Sequence, residues 1–228
     1  MDQTKIWDYF QNNPEISHIA FNARSRYEFI AWKINKGTKV LNIGVGTGGL
    51  ERILDEKGVV VSCLDPNETS IERLRSTLGI GERAKVGFSQ AIPFSCSEFD
   101  VVVMSEVLEH LDDNVLIATI EEVYRVLKEK GRFIITVPAN ENLLENRVIC
   151  PNCGLSFHRW GHIQSFTSSR LEEFLCKQFS DIKIIRCFFG EWRTLNWKGK
   201  IGWILKKMLI FFGVHGSGET FFVETIKR

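Results

Sequence analysis

Residues 39–49 have the sequence KVLNIGVGTGG, in which five residues typical of a β-strand run directly into a glycine-rich loop. Glycines let the backbone turn tightly, and they leave amide groups exposed at the start of the helix that follows. Backbone amides at such a turn bind phosphate and other polar groups of nucleotides. We therefore predict a nucleotide-like cofactor site at residues 44–49.

The flanking sequence alternates between short β-branched runs and helical patterns. The predicted strands are Lys39–Ile43, Val59–Cys63, Lys85–Phe88, Asp100–Met104, Arg132–Val137, Ile182–Cys187 and Thr220–Ile226. Predicted helices lie between the first five of them, at Leu50–Glu56, Thr69–Leu78 and Asn114–Lys128. This alternation predicts one α/β domain with a doubly wound, mostly parallel sheet. The segments 1–37, 138–166 and 188–219 fall outside it and are expected to form the substrate side.

The second strand is followed by Asp65, about 20 residues beyond the glycine loop, where a carboxylate can accept hydrogen bonds from a ribose diol. The alternative is that Asp65 only caps the helix that begins near Thr69. The glycines themselves leave the cofactor open. Gly44, Gly46 and Gly49 fit the dinucleotide spacing, whereas Gly44, Gly46 and Gly48 fit the G-x-G-x-G spacing of methyltransferases.

Three stretches downstream favour the second cofactor type: AIPF at 91–94, FDVVV at 99–103 and SEVLEHL at 105–111. Together with the loop, they resemble the signature of class I S-adenosylmethionine-dependent methyltransferases from about Lys39 to Val137. The nearest resemblance is to the small-molecule enzymes of ubiquinone and menaquinone biosynthesis. It implies a Rossmann-like sheet of strand order 3-2-1-4-5-7-6 with an antiparallel last strand.

The same resemblance implies a set of contacts with the cofactor S-adenosylmethionine. These are Gly44, Gly46 and Gly48 at the methionine part, Asp65 at the ribose hydroxyls, and Met104, Ser105 and Glu106 on the methyl-donor side. Two positions depart from the family, which usually has an acid at Asn42 and often another at Phe88. Asn42 can still hydrogen-bond, and adenine recognition is expected to shift to backbone groups around Ser89 and Gln90.

Catalysis by in-line methyl transfer depends mainly on alignment, and a base is needed only when the acceptor is a hydroxyl. Glu106, Glu109 and His110 are spaced to share one helical face at the cofactor edge of the sheet. We predict His110 as the base and Glu106 as a second catalytic residue. The alternative is that both glutamates favour the start of a helix and that His110 is structural.

The insert at 138–166 contains Cys150-Pro-Asn-Cys153-Gly154 followed by His158 and His162. Two thiolates and two imidazoles can complete a tetrahedral zinc site. We therefore predict a structural zinc knuckle at Cys150, Cys153, His158 and His162, which would stiffen one wall of the acceptor pocket. The alternative is a metal-free loop with two ordinary thiols.

A second resemblance competes for one of these histidines. Glu106, Glu109, His110 and a later His162 before a Ser-Phe-Thr stretch resemble the metal-dependent small-RNA 2′-O-methyltransferases. That resemblance implies an ion held by two glutamates and two histidines, with a terminal ribose as acceptor. Against it, the core lacks a basic groove with interspersed aromatic residues, so nucleic acid is not the expected partner.

The composition bounds the remaining properties. The 228 residues carry a net charge of +1, which excludes a bulk nucleic-acid or membrane binder. The start MDQTKIWDYF lacks the pattern of a secretory signal, so a cytoplasmic protein with six thiols is expected. Segment 1–37 has the pattern of a helical lid. The basic, aromatic segment 188–219 is expected to pack over the cleft, against a second subunit in a homodimer, or against an anionic membrane carrying a lipid-linked acceptor.

The sequence therefore predicts an S-adenosylmethionine-dependent methyltransferase that acts on a small molecule, most simply at oxygen, with a zinc-stabilised insert. The open alternatives are RNA 2′-O-methylation, an NAD-dependent oxidoreductase, and a non-catalytic protein that keeps the methyltransferase fold.

Overall fold

The computed structural model describes residues 4–13, 15–16 and 23–228. The main sheet contains β1 (Lys39–Ile43), β2 (Val60–Asp65), β3 (Ala84–Val86), β4 (Phe99–Ser105), β5 (Leu127–Pro138), β8 (Phe179–Cys187) and β9 (Thr220–Lys227). Its order is β3-β2-β1-β4-β5-β9-β8, and β9 is antiparallel to both neighbours. The predicted α/β fold and the strand order 3-2-1-4-5-7-6 are confirmed. A separate hairpin, β6 (Arg147–Ile149) and β7 (Ser156–His158), lies in the 138–166 insert.

The helices are α1 (Thr4–Asn12), α2 (Arg24–Trp32), α3 (Gly49–Glu56), α4 (Glu68–Leu78), α5 (Asp113–Val126), α6 (Ser168–Leu175) and α7 (Trp197–Phe211). Side-chain caps mark several of their starts. The Asn67 side chain accepts a hydrogen bond from the Ser70 amide at the start of α4, and Gly79 ends that helix at φ +62°. Some predicted boundaries were wrong. Leu127 and Lys128 are extended and not helical, because Leu127 pairs with Phe99 of β4, and the strand predicted at Lys85–Phe88 ends at Val86.

The core lies on both faces of the sheet, which explains why the central strands carry apolar residues on both faces. In β4, residues 101–104 are all buried. Val102 and Met104 pack on the side of α5, whereas Val101 and Val103 pack on the side of α2 and α3. This two-sided burial makes the central strands a rigid base for the loops at their ends.

The parallel register brings three chain segments to one edge of the sheet. Ile43 of β1 pairs with Leu64 of β2 on one side and with Met104 of β4 on the other. The residues that follow these strands, from Gly44, Asp65 and Ser105 onward, therefore leave the sheet at the same level. This edge is where ligands bind in open α/β sheets.

The segments outside the alternation meet this edge or cover the surface. Of the predicted lid 1–37, α1 and α2 are helical, and residues 1–3, 14 and 17–22 lie outside the described residues. Helix α7 lies in the 188–219 segment and has no buried residue. Within the described ranges, no helix combines the length and apolar character needed to cross a bilayer.

Candidate functional site

The glycine loop between β1 and α3 has the conformation that its composition predicts. Gly44, Gly46 and Gly48 all have positive φ angles, at +85°, +52° and +80°. At Gly44 there is also no room for a side chain, because an added Cβ would lie 2.5 Å from Cγ2 of Val107. Gly44 thus lets the loop contact the chain that leaves β4.

Asp65 lies at the end of β2 and is buried, with 2% of its surface exposed. One carboxylate oxygen accepts from the Val45 amide at 2.9 Å, and the other accepts from the Asn67 amide at 2.8 Å. It therefore ties the glycine loop to the β2–α4 turn. The helix cap that the alternative assigned to Asp65 is made by Asn67.

Asn42 and Glu51 form a buried pair beneath the loop, and only Asn42 was singled out from the sequence. Asn42 donates to Oε1 of Glu51 at 2.5 Å, and both residues are buried. Burial raises the pKa of Glu51 to about 7. The position usually occupied by an acid in the resembling family is an amide here, and the acid comes from α3. The sequence did contain a signal for Glu51, which lies on the same helix face as the apolar residues Leu50 and Leu54.

The other predicted cofactor residues differ in whether their side chains are exposed or already hydrogen-bonded within the protein. The Ser89 hydroxyl is hydrogen-bonded to Thr119 in the interior at 2.8 Å, and Gln90 is exposed. The Ser105 hydroxyl is hydrogen-bonded to Thr136 at 2.9 Å, and Met104 is fully buried. Among these four residues, the Gln90 side chain alone is exposed.

Glu106 follows β4 in a left-handed conformation, with φ +57°. Such a conformation is costly for a residue other than glycine and often marks a functional site. The Glu106 carboxylate faces Arg26 of α2, and the closest oxygen and nitrogen atoms are 3.6 Å apart. An arginine from the predicted lid thus holds Glu106.

The next turn places Glu109 and His110 beside His162 from the insert, and we call these three residues the Glu109 cluster. Oε1 of Glu109 lies 3.9 Å from Nε2 of His110 and 4.0 Å from Nε2 of His162. The ligand atoms of the three residues all lie within 4.8 Å of one another. The 3₁₀ helix Leu108–His110 and the insert therefore form one site.

Two hydrogen bonds, one of them from a side chain, hold the insert against this turn. The Glu109 carbonyl accepts from the Ile163 amide at 2.9 Å, and Nδ1 of His110 lies 3.1 Å from the Gly161 carbonyl. Glu141, which sequence reasoning missed, lies 2.5 Å from Nδ1 of His162 and 3.4 Å from Nε2 of His158. No spacing rule connects Glu141 to these histidines; the fold of the insert brings them together.

The four predicted zinc ligands are not brought together. Arg147 and His158 pair at the open end of the hairpin, whereas Cys150 and Cys153 lie in its connection. The three-residue strands separate these two levels by about 10 Å, and zinc ligands must all lie within roughly 2.3 Å of the ion. His158 and His162 join glutamates instead. The amides of Cys153 and Asn152 still point at the Cys150 sulfur and lower the pKa of its thiol.

Burial dominates the electrostatics of the cluster. It raises the pKa of Glu109 well above the ordinary value, and the nearby Glu106 adds to the shift. Burial, with a smaller contribution from His162, lowers the pKa of His110 to about 3. Burial alone would raise the pKa of Glu141, but the hydrogen bond from His162 brings it below its ordinary value. His110 is therefore a neutral imidazole near pH 7.

Helix α1 covers both halves of the site. On the side of α4, Oε1 of Gln11 accepts from the Ser70 hydroxyl at 2.9 Å. On the other side, the Trp7 ring lies 4.1 Å from the His110 ring, centroid to centroid. A pocket of about 250 Å³ opens beside the cluster and is lined by Ile6, Leu143, Arg147, Ser156, Phe157, His158, Gly161, His162 and Ile163. This pocket is a candidate site for the acceptor.

Known proteins resemble this chain over its whole fold. A family model described as a methyltransferase domain matches residues 17–178. A solved methyltransferase from Thermotoga maritima, described as a possible histamine N-methyltransferase, has a TM-score of 0.66 and 19% identity. The match covers 98% of this chain and 99% of that chain.

Two curated proteins match the central part of the chain. The glycine/sarcosine/dimethylglycine N-methyltransferase of Actinopolyspora halophila is 32% identical over 122 residues, which is 50% of this chain and 21% of that protein. The sterol 24-C-methyltransferase of Yarrowia lipolytica is 33% identical over 143 residues, which is 56% of this chain and 37% of that protein. The chain thus spans less than half the length of these relatives. The family match favours the second of the two cofactor types that the glycine loop left open: the chain belongs to the methyltransferase-domain family.

Proposed function

We propose that this enzyme transfers the methyl group of S-adenosylmethionine to an oxygen of a small, hydroxyl-bearing acceptor. The observation that carries the proposal is the Glu109 cluster, which lies directly after β4 and beside the glycine loop. A hydroxyl is a poor nucleophile until its proton leaves, and a cluster of a carboxylate and two imidazoles assists that step. The resemblance to ubiquinone and menaquinone enzymes makes a phenolic ring the first acceptor class to test.

The cofactor, in this proposal, lies across the carboxyl ends of β1, β2 and β4. The left-handed loop of Gly44, Gly46 and Gly48 supports this position, since its turn exposes backbone at the start of α3. Each Asp65 oxygen accepts one amide and has a further lone pair for a ribose hydroxyl. Contacts of Asn42, Gln90, Met104 and Ser105 with the cofactor stay predictions, as does a backbone contact at Ser89.

The catalytic roles of His110 and Glu106 also stay predictions. The low pKa of His110 makes it a weak base, although its neutral ring is able to accept a proton. Glu106 is held by Arg26 close to the predicted methyl-donor side. Zinc at Cys150 and Cys153 remains a prediction that would require two ligands other than His158 and His162.

The exposed helix α7 supports a further part of the proposal, contact with an anionic membrane. Its apolar side chains are exposed, among them Trp197, Leu205 and Phe211. Residues 192–218 contain four lysines and one arginine and no acid. Lysines beside aromatic rings favour an anionic lipid–water boundary. A cytoplasmic enzyme, whose thiols stay reduced, would then meet a lipid-linked acceptor at the inner surface.

The test is transfer of a radiolabelled methyl group from S-adenosylmethionine to four acceptor classes: phenols, sugars, amines such as sarcosine, and a short RNA with a free terminal ribose. We expect label in a phenol or sugar, and loss of most activity in Glu109→Gln but not in the exposed control Glu129→Gln. Label in amines alone would contradict oxygen as the acceptor atom. The RNA is included because the Glu109 cluster is also what the resemblance to RNA 2′-O-methyltransferases implies, and label in RNA alone would contradict a small-molecule acceptor.

A further inference from the structure

The pocket beside the Glu109 cluster has an arginine in its wall. Among the described residues that line this pocket, Arg147 alone carries a permanent charge. Most of the other lining side chains are apolar, namely those of Ile6, Leu143, Phe157 and Ile163. A largely apolar pocket with one fixed charge is typical of a site that binds a small ligand in one orientation.

Two hydrogen bonds fix the guanidinium group of Arg147. Its Nε donates to the Ser156 hydroxyl at 2.9 Å, and its Nη2 donates to the Ser156 carbonyl at 3.0 Å. Arg147 lies in β6 and Ser156 in β7, so both contacts cross the hairpin. A long side chain held in this way has already lost part of the rotamer freedom that ligand binding would otherwise cost.

The second edge of the same guanidinium group is unoccupied by the described residues. Ser156 binds the edge formed by Nε and Nη2, whereas Nη1 and the other hydrogen of Nη2 form the second edge. No carboxylate among the described residues forms a salt bridge with Arg147, and the Glu141 carboxylate of the same insert is bound by His158 and His162. The second edge therefore has the geometry that binds a carboxylate or a phosphate through two parallel hydrogen bonds.

The hairpin register connects Arg147 to the Glu109 cluster. Arg147 pairs with His158 across the hairpin, and the His158 ring stacks on the His162 ring with centroids 4.5 Å apart. Nε2 of His162 in turn lies 4.0 Å from Oε1 of Glu109. A molecule that binds Arg147 at one end would thus have its other end beside the Glu109 cluster.

We infer that the methyl acceptor carries an anionic group, a carboxylate or a phosphate, and that Arg147 is the residue that selects it. The inference rests on the proposed function, because it concerns the acceptor of that reaction. The apolar side chains of the pocket would pack against the body of the acceptor, between its anionic group and its hydroxyl. The volume of about 250 Å³ lies below the roughly 300–1,000 Å³ typical of sites for drug-sized ligands, so the part that enters has the size of about one ring.

Calorimetry with two pairs of probes tests the anion site without reference to turnover. The pairs are 4-hydroxybenzoate with 4-hydroxybenzamide, and glucose 6-phosphate with glucose, each titrated into enzyme saturated with S-adenosylhomocysteine. We define the anion preference as the ratio of the affinities for an anionic probe and its uncharged counterpart. We expect a preference of at least about tenfold in one pair, since hydrogen bonds to charged groups are strong. The pair that shows it distinguishes a carboxylate from a phosphate.

Substitutions of Arg147 connect the preference to this residue. Arg147→Met should abolish the preference, because it keeps an apolar stem and lacks the guanidinium group. Arg147→Lys should restore only part of it, since an ammonium group cannot form two parallel hydrogen bonds. Arg159→Met is the matched control and should keep the wild-type preference, because Arg159 is exposed in the same insert, lies over the Trp160 ring and does not line the pocket. Unchanged affinity for S-adenosylhomocysteine shows that each variant keeps its fold.

Ser156 acts in this inference as a positioning residue, because it holds the guanidinium group of Arg147. Ser156→Ala should lower the anion preference part of the way, since the backbone carbonyl still accepts from Nη2. Ser156→Thr keeps a hydroxyl and should restore the preference. An unchanged preference in Ser156→Ala would exclude the positioning role.

Two results would overturn the inference: neither anionic probe binds more tightly than its uncharged counterpart, or Arg147→Met keeps the wild-type preference. Methyl transfer to uncharged hydroxyl acceptors alone, with equal kcat/KM in the wild type and in Arg147→Met, would also overturn it but leave the proposed function standing. An anion preference that depends on Arg147, without methylation of any hydroxyl acceptor, would overturn the proposed function and confirm the anion site.

Discussion

Nδ1 of His162 lies 2.5 Å from Oε2 of Glu141, and this contact sets which nitrogen of His162 faces Glu109. Glu141 is thus a positioning residue, since its carboxylate fixes the tautomer and the ring orientation of His162. We predict that Glu141→Ala lowers the free energy of unfolding by about 1–3 kcal/mol, because the N–H group at Nδ1 of His162 is then buried without an acceptor. Glu141→Gln should restore part of that stability, because its amide oxygen can still accept from Nδ1. Equal free energies of unfolding in denaturant for both variants and the wild type would exclude this role.

The close contact between Gly44 and Val107 gives a prediction about the cofactor loop. Gly44→Ala and Gly37→Ala both place a side chain at a positive φ, at +85° and +79°, but only Gly44 lacks space for a Cβ. We expect Gly44→Ala to lower the free energy of unfolding by about 1–3 kcal/mol more than Gly37→Ala does, because of the added clash.

Gly44→Ala should also weaken the calorimetric affinity for S-adenosylhomocysteine, whereas Gly37→Ala should leave that affinity near the wild-type value. If both variants bind S-adenosylhomocysteine equally well, the loop is not part of the cofactor site.

The buried Glu51 gives a prediction about pH. Burial raises its pKa in the folded protein from an ordinary value of 4.5 to about 7, so the folded state holds this proton more tightly than the unfolded state does. The contribution of Glu51 to stability is therefore fully present below about pH 4.5 and is lost as the pH rises through 7. The loss is roughly 3 kcal/mol.

Glu51→Gln keeps an oxygen that can accept from Asn42 but cannot ionise. Denaturant unfolding of both proteins at several pH values between 4.5 and 8 should show a decline in wild-type stability that the variant lacks. Parallel pH profiles would mean that Glu51 ionises in the folded protein as it does in water.

Helix α7 predicts salt-sensitive membrane binding. Lys206→Glu together with Lys207→Glu should abolish flotation with phosphatidylglycerol vesicles, since these lysines supply attraction to an anionic surface. Exposed lysines elsewhere provide the matched control, Lys177→Glu with Lys183→Glu. Phosphatidylcholine vesicles, or 0.5 M salt, at which screening acts over only about 4–5 Å, should release the wild type. If the protein floats with neither vesicle type and sediments as a dimer, α7 instead forms a subunit interface.

The fold was largely predictable because its signals are local. Most strands of the main sheet contain several β-branched residues, and the glycines of the loop indicate a backbone conformation that other residues rarely adopt. The errors lie where a distant partner decides the outcome. Leu127 is extended because Phe99 pairs with it, and the hairpin β6–β7 consists of two three-residue strands too short to be recognised.

The site was predictable in part for the same reason. Glu109 and His110 share one turn, so their proximity follows from the sequence. The zinc prediction for Cys150 and His158 assumed that spacing along the chain measures distance in space, and the hairpin register separates them instead. Glu141 could not be predicted from the sequence, because its contacts with His158 and His162 depend on how the insert folds.

Helix α1 bears on the order of events in a catalytic cycle. It joins Gln11 to Ser70 on one side and lays Trp7 against His110 on the other, within nine residues. Because one short helix makes both contacts, a rigid-body displacement of that helix would break both of them. We therefore expect spent cofactor and methylated product to leave during the same opening, so that each turnover ends with both compartments emptied before either is refilled.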